Sequence, residues 1–346
     1  MLAISFAEGV CEEENKSYNG LNSFIVPVFI YSTDTGFGGG VTGFKSYNTS
    51  RPRISYVQSS FVYTVKKQLT TAFQWNHYLS RKTDRISFGV KYSRFPTYFF
   101  GMGNNTDNKD TEKYTPEYIS LRIFYERTFE WDFKVKTHFF LHNQSLIKYK
   151  NGGILKSTAV PWHGGRLDAG MGLSVLRDSR ENVIATRRGT LAQLEYRAFM
   201  IQDKGGAFST LSLDVRTFIN PYPDVVLGYM IWCEDSRGDV PFYMLSKLGG
   251  NDRLRGCELN RFRDRSIMLV QHDIRYPIWG PVGGALFIAT GRVAGDIPSL
   301  FSGTFHTAYG AGLRFYFNRE DNLVLRCDYA KGRDSKGFYI AFGEAF

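Results

Sequence analysis

The stretch Thr190–Met200, TLAQLEYRAFM, reads as a strand with one apolar and one charged face. Ala192, Leu194, Tyr196, Ala198 and Met200 fall on one side, and Gln193, Glu195 and Arg197 on the other, because successive side chains of an extended chain point in opposite directions. The same alternation recurs up and down the chain. In Thr210–Ile219, Leu211, Leu213, Val215 and Ile219 oppose Ser212, Asp214 and Arg216. In Phe133–His142, Phe133, Val135, Phe139 and Leu141 oppose Lys134, Lys136, His138 and His142. In Leu323–Ala330, Leu323, Leu325, Cys327 and Tyr329 oppose Arg326 and Asp328.

A soluble β-sandwich would alternate too, but two features point away from it. The strands run roughly ten to fourteen residues, long for a soluble domain and suited to a tilted membrane crossing. Their polar faces carry many charges of both signs, as the wet interior of a barrel does. Aromatic residues make up 16% of the 346 residues, enough to furnish both strands and the aromatic girdles at two membrane interfaces. No apolar run reaches the length of about 18 residues that a membrane helix needs. The fold expected is therefore an all-β, transmembrane up-and-down antiparallel β-barrel of about 16 strands, from 22–31 through 337–346. It fills residues 21–346 as one domain, and 1–20 form a leader or periplasmic segment. The start, MLAISFAEGVCEEEN, lacks the basic region and full apolar length of a secretory signal, so the true signal is expected upstream of this numbering.

Connection lengths give the barrel a polarity. The long connections, 96–115, 147–165 and 234–264, are all odd-numbered, so they share one end. Outer-membrane barrels place long loops outside and short turns in the periplasm, which sets both termini on the periplasmic side.

The eleventh connection holds Leu248–Arg263, LGGNDRLRGCELNRFR, a cationic, glycine-hinged stretch with no alternation. With LRGC at Leu254–Cys257 ahead of the twelfth strand, this arrangement resembles the BamA/TamA surface-antigen superfamily, whose members carry a V/L-R-G-F/Y motif there. QHDIRYPI (271–278), GGALFIATGRV (283–293), YGAGLRFYF (309–317), LVLRCDYA (323–330) and GFYIAFGEAF (337–346) look like the family's last strands in order, and PVFIYSTDTGFGGGVTGF (27–44) is similar to the first hairpin of shorter members. The strong matches cover roughly the last hundred residues. The resemblance implies that the loop folds back into the lumen, with Arg255 on a lumenal acid, here Asp273, and with Gly256 making the sharp turn. It departs from the family at Cys257, where an aromatic is usual, and at Ala289, where a second acid is frequent, which implies a looser latch. Only about twenty residues precede the first strand, so the chain resembles a barrel-only member without POTRA modules.

The implied function is membrane biogenesis: protein insertion or translocation, or lipid passage, through a weak seam between first and last strands. Pro27 in the first strand removes one ladder donor, and Phe346 closes the last strand as an aromatic terminal residue of the kind read by barrel-assembly machinery. A passive pore with a basic lumen, or a structural barrel acting with a periplasmic partner, are the competing readings. A net charge of +10 calls for anionic partners. With no nucleic-acid-binding signature, lipopolysaccharide and outer-membrane phospholipid fit, alongside a client protein.

Catalysis, cofactor and metal sites are not expected. Gly36–Gly43, GFGGGVTG, lacks the Lys-Ser/Thr and the helix of a phosphate loop and reads as a tight hairpin. His138 and His142 share a strand face about 13 Å apart, too far to hold one metal, and His272 points outward. Glu195 with Arg197 and Asp214 with Arg216 read as lumenal ion pairs. Cys11, Cys233, Cys257 and Cys327 show no metal spacing; Cys233 and Cys257 pair in one reading and stay free in another.

Overall fold

The computed structural model describes residues 23–47, 55–79, 83–106, 111–150, 152–156, 160–161, 165–183, 185–201, 206–318 and 323–346. The expectations for 1–20, Cys11 included, lie outside these residues. The strands are β1 (Ser23–Ser32), β2 (Gly36–Tyr47), β3 (Ser55–Thr64), β4 (Leu69–Tyr78), β5 (Asp84–Arg94), β6 (Thr97–Phe99), β7 (Glu112–Thr128), β8 (Phe133–Lys148), β9 (Arg166–Asp178) and β10 (Gly189–Ile201). They continue as β11 (Gly206–Tyr222), β12 (Val225–Gly238), β13 (Ser246–Leu248), β14 (Phe262–Asp264), β15 (Ser266–Trp279), β16 (Val282–Ala294), β17 (His306–Asn318), β18 (Leu323–Lys331) and β19 (Lys336–Phe342). A single-turn helix, α1 (Ile297–Leu300), sits between β16 and β17.

Each wall strand pairs antiparallel with its chain neighbours, and β1 meets β19 to close the ring. β6, β13 and β14 stand outside the wall, which leaves the sixteen strands of a transmembrane barrel. The alternation decides which face each residue takes. In β10, Ala192, Leu194, Tyr196, Ala198 and Met200 are exposed on the outer surface, while Leu191, Glu195 and Phe199 are buried inside. Exposed Met171, Leu213, Ile231, Ile288 and Leu313 continue that outer apolar band. Trp131, Tyr222 and Trp279, all strongly exposed, lie at the end carrying the short turns, where an interfacial girdle belongs.

The long connections 95–111, 149–165, 239–265 and 295–305 all lie at the opposite end. The first three pack Phe99, Leu155, Val160, Phe242 and Leu245 into one apolar cluster with Phe199 and Phe208 of the wall. Asn104 ties this cap to β16 and to the connection ahead of β17, accepting from the Val293 N–H at 3.1 Å and donating to the Thr304 carbonyl at 2.9 Å. One turn-end connection, between β9 and β10, folds inward. Its described residues bury Asn182, Ala185 and Thr186, and the Thr186 carbonyl accepts from Arg275 Nη1 at 2.8 Å.

The glycine-rich hairpin reading of Gly36–Gly43 matches β1 and β2, paired along their whole length. A Cβ at Gly40 would run into the Phe61 carbonyl of β3, so close strand approach accounts for that glycine. The terminal strand departs from expectation. β19 ends at Phe342, not at 346, because Gly343, at φ +80°, turns the chain off the wall and into the lumen.

Candidate functional site: the lumenal latch and the closing seam

The connection from β12 to β15 folds back inside the barrel. Gly249 and Gly250 hold φ of +115° and +96°, a left-handed run that glycine tolerates without penalty. A compact turn follows, with Leu254 N–H to Gly250 O at 3.3 Å, Cys257 N–H to Leu254 O at 3.0 Å and Gly250 N–H to Cys257 O at 3.0 Å. Leu254 is buried among Phe218, Trp232, Ile267 and Leu269. Gly256, at φ +93°, presses on β18: a Cβ there would come within 2.9 Å of the Lys331 backbone. Its N–H donates to Tyr339 Oη at 3.0 Å, and its carbonyl accepts from Ser335 Oγ at 2.7 Å. The glycine therefore lets the loop dock directly against the last two strands.

The acid that Arg255 meets is Asp328 of β18, not Asp273. Its Nη1 lies 2.6 Å from Asp328 Oδ2, both groups are buried, and its guanidinium carbon stands 3.5 Å over the Phe287 ring. Asp273 instead accepts from Arg275 Nε, two residues along β15, at 3.1 Å. The physical reason is reach: the Gly256 turn lands on β18 and β19, which brings the preceding arginine to the carboxylate on that wall. Asp328 also binds Arg314 Nη1 at 2.6 Å and Arg326 Nη1 at 2.9 Å. Glu344 accepts from Arg314 Nε at 2.9 Å and lies 3.9 Å from Arg275, and Asn251 Oδ1 accepts from Arg326 Nη2 at 2.9 Å. Four arginines thus share Asp273, Asp328 and Glu344 in a buried network, where removing any carboxylate would strand a charge. Alternation alone had placed Arg326 and Asp328 on the lumenal face. Glu344 carried no such signal, because it acts from beyond the last strand.

Phe346 is likewise not a seam residue. It is buried in the lumen, its ring 6.0 Å from that of Phe218, because Glu344 draws the terminal segment inward to Arg314. Pro27 does lie on the seam strand. There, β1 and β19 pair only at the loop end, Tyr31 opposite Ile340 and Ser32 opposite Tyr339. Thr33 N–H to Phe338 O at 3.2 Å and Phe338 N–H to Thr33 Oγ1 at 2.9 Å complete the contact. From Ser23 to Ile30, β1 has no ladder partner on that side among the described residues. Its other edge is paired with β2 at every position.

The remaining candidates fall as follows. Cys233, Cys257 and Cys327 are free; Cys233 belongs to the outward series of β12 with Tyr229 and Ile231, while Cys257 is inside, so the wall separates them. Burial pushes the Cys257 thiol up to about 12, which leaves it protonated and unreactive. Ala289 is buried in the apolar cluster beneath the loop. His138 contacts Ser174 Oγ at 2.7 Å and Arg122 at 3.2 Å, while His142 contacts Gln144 Oε1 at 3.3 Å. His272 stacks outside on Tyr229, centroids 4.5 Å apart. Arg197 lies 3.6 Å from Glu195 and 2.8 Å from Glu234, and Arg216 lies 2.7 Å from Asp214.

No protein-family model and no curated protein matches the sequence. Solved structures do. BamA from Haemophilus ducreyi lacking POTRA domains 1–3 superposes with a TM-score of 0.64 at 10% identity, over 98% of this chain and 77% of that one. The chain has the BamA barrel fold. CdiB from Acinetobacter baumannii (TM-score 0.60, 14% identity, 93% of this chain) and CdiB from Escherichia coli (0.61, 10%, 95%) share it, and the chain spans 60% and 64% of their lengths. With BamA and CdiB alike, the likeness is one of fold, at sequence identities of 10–14%.

Proposed function

We propose that this chain is an integral bacterial outer-membrane protein that acts in outer-membrane biogenesis, moving a protein segment or lipid through the joint between β1 and β19, with both termini on the periplasmic side. The observation that carries this reading is the seam, whose ladder among the described residues pairs only Tyr31 and Ser32 with β19, beside fully paired neighbours. Each ladder bond contributes roughly 1 kcal/mol net, so the joint opens at the expense of a few bonds where any other wall joint would break many. In a membrane, an unpaired strand edge has no water to satisfy it except from the lumen, so the free edge of β1 is a poised acceptor. The inward loop, fixed by Arg255 on β18 and Gly256 on Tyr339, stands next to that joint and would set how far it opens. Lipopolysaccharide and anionic phospholipid are the proposed surroundings, with a client or periplasmic protein as partner; nucleic acid and enzymatic turnover have no place in this reading.

The test is a disulfide lock, Tyr31→Cys with Ile340→Cys. Cells relying on the locked barrel should show a biogenesis defect, read as lost outer-membrane proteins or a leaky barrier, that a reductant reverses. A fully oxidised barrel supporting normal membranes would refute it.

A further inference from the structure

Between the inward loop and the wall formed by β1, β3, β5 and β7 lies a cavity of about 510 Å³ that reaches the seam residues Tyr31 and Ile340. Lys91, Lys247 and Arg253 line it, against Asp34 and Asp252. Elsewhere in the lumen, Arg85, Arg255, Arg275, Arg314 and Arg326 each hold a carboxylate. Lys91, Lys247 and Arg253 form no ion pair among the described residues. Lys91 stands 5.7 Å from the Tyr118 ring centroid, Lys247 Nζ donates to the Tyr243 carbonyl at 2.6 Å, and Arg253 lies 3.5 Å over the Trp232 ring with its Nη1 donating to the Lys247 carbonyl at 3.2 Å. Asp34 accepts from the Leu259 N–H at 3.0 Å and Asp252 from Asn251 at 2.9 Å, and neither lies within ion-pair distance of the three cations among the described residues.

Behind them, opposite Lys247 in the β13–β14 hairpin, Arg263 is fully buried between Phe99 and Phe242. None of its three guanidinium nitrogens has a hydrogen-bond partner. Burying an unmatched cation is costly, and here several are gathered behind one roomy cavity. Burial, with Arg263 and Arg253 nearby adding to it and Glu234 opposing, pushes the Lys247 ammonium down to about 7.

We propose that this cavity binds a phosphorylated anion. A guanidinium fork and two ammonium groups match a multi-oxygen tetrahedral anion. The Thr70 and Ser93 hydroxyls, bonded to each other at 3.2 Å, leave one O–H to donate, and Val28, Val62 and Leu259 give an apolar wall for the rest of the molecule. The volume falls in the range of small-molecule sites, about 300–1,000 Å³, well above that of bare phosphate. The anion comes either as a lipid headgroup entering at the seam or as a soluble phosphate compound.

The experiment uses the full chain. Inorganic phosphate is titrated by calorimetry in detergent, and lipid retention is read by native mass spectrometry from nanodiscs of phosphatidylcholine with or without phosphatidylglycerol. The expected result is saturation at one phosphate or one phosphatidylglycerol per barrel, weakened at least tenfold in Lys247→Met and in Arg253→Met, and unchanged in Lys336→Met at the exposed start of β19. Preferential retention of phosphatidylglycerol assigns the lipid source; phosphate binding without that preference assigns a soluble one. Heat-modifiable gel mobility confirms that the variants fold, and Lys91→Gln, on the wall and outside the loop, is a second variant expected to weaken binding. Absence of binding with both probes, or binding by Lys247→Met, Arg253→Met and Lys91→Gln equal to that of the parent, would overturn the site.

Discussion

At the residue scale, Arg255 and Asp328 form the fastening of the latch. In denaturant unfolding of the micelle-embedded barrel, an Arg255→Ala/Asp328→Ala cycle should show a coupling of about 1–3 kcal/mol, whereas Arg255→Ala/Asp273→Ala should stay within about 0.5 kcal/mol. Asp328→Ala should be the more damaging single change, because Arg255, Arg314 and Arg326 all lose the same carboxylate and stay buried. Equal coupling to both acids would dismiss this assignment. The LRGC turn and its inward fold were legible in the sequence through the family resemblance. The partner was not. Alternation puts Asp273 and Asp328 on the same lumenal face, and which one the arginine meets depends on how far across the barrel the loop reaches, a tertiary distance that no local pattern encodes.

At the element scale, alternation located all sixteen wall strands, since each must show lipid one face and the lumen the other. The ends were less legible. β19 stops at Phe342 because Gly343 turns and Glu344 is pulled to Arg314, and that pull comes from a strand thirty residues away. The inward fold of 179–188 was hidden for a similar reason: its anchor is a carbonyl at Thr186 bonded to Arg275, and a backbone acceptor leaves no mark in a sequence. The half-paired seam has a direct consequence for crosslinking. Tyr31→Cys/Ile340→Cys should oxidise readily in membranes, and Phe29→Cys/Phe342→Cys, just past the last paired position, should do so poorly. Similar yields for the two pairs would mean that the ladder continues below Tyr31.

At the scale of the whole molecule, the loop 239–265, the cap on Phe242 and the inward 179–188 segment together occupy much of the lumen, so the intact barrel should conduct weakly and unsteadily in planar bilayers. Deleting Asn251–Glu258 should give a larger, steadier conductance, and the excess of positive charge on the chain should favour anions. A large, steady conductance from the intact chain would favour the passive pore. The basic character of the chain was plain from composition, but its division into matched arginines on the β15–β18 wall and unmatched cations around the cavity became visible only once the loop had a place.

The most direct measurement is hydrogen exchange of the barrel in nanodiscs, compared strand by strand. Amides of β1 from Phe24 to Ile30 have no ladder partner on the β19 side among the described residues, while those of β10 from Leu191 to Ile201 are paired on both sides. The β1 segment should exchange at least about tenfold faster than the β10 segment, with protection recovering at Tyr31 and Ser32. Protection of Phe24–Ile30 equal to that of β10 would contradict a seam that opens.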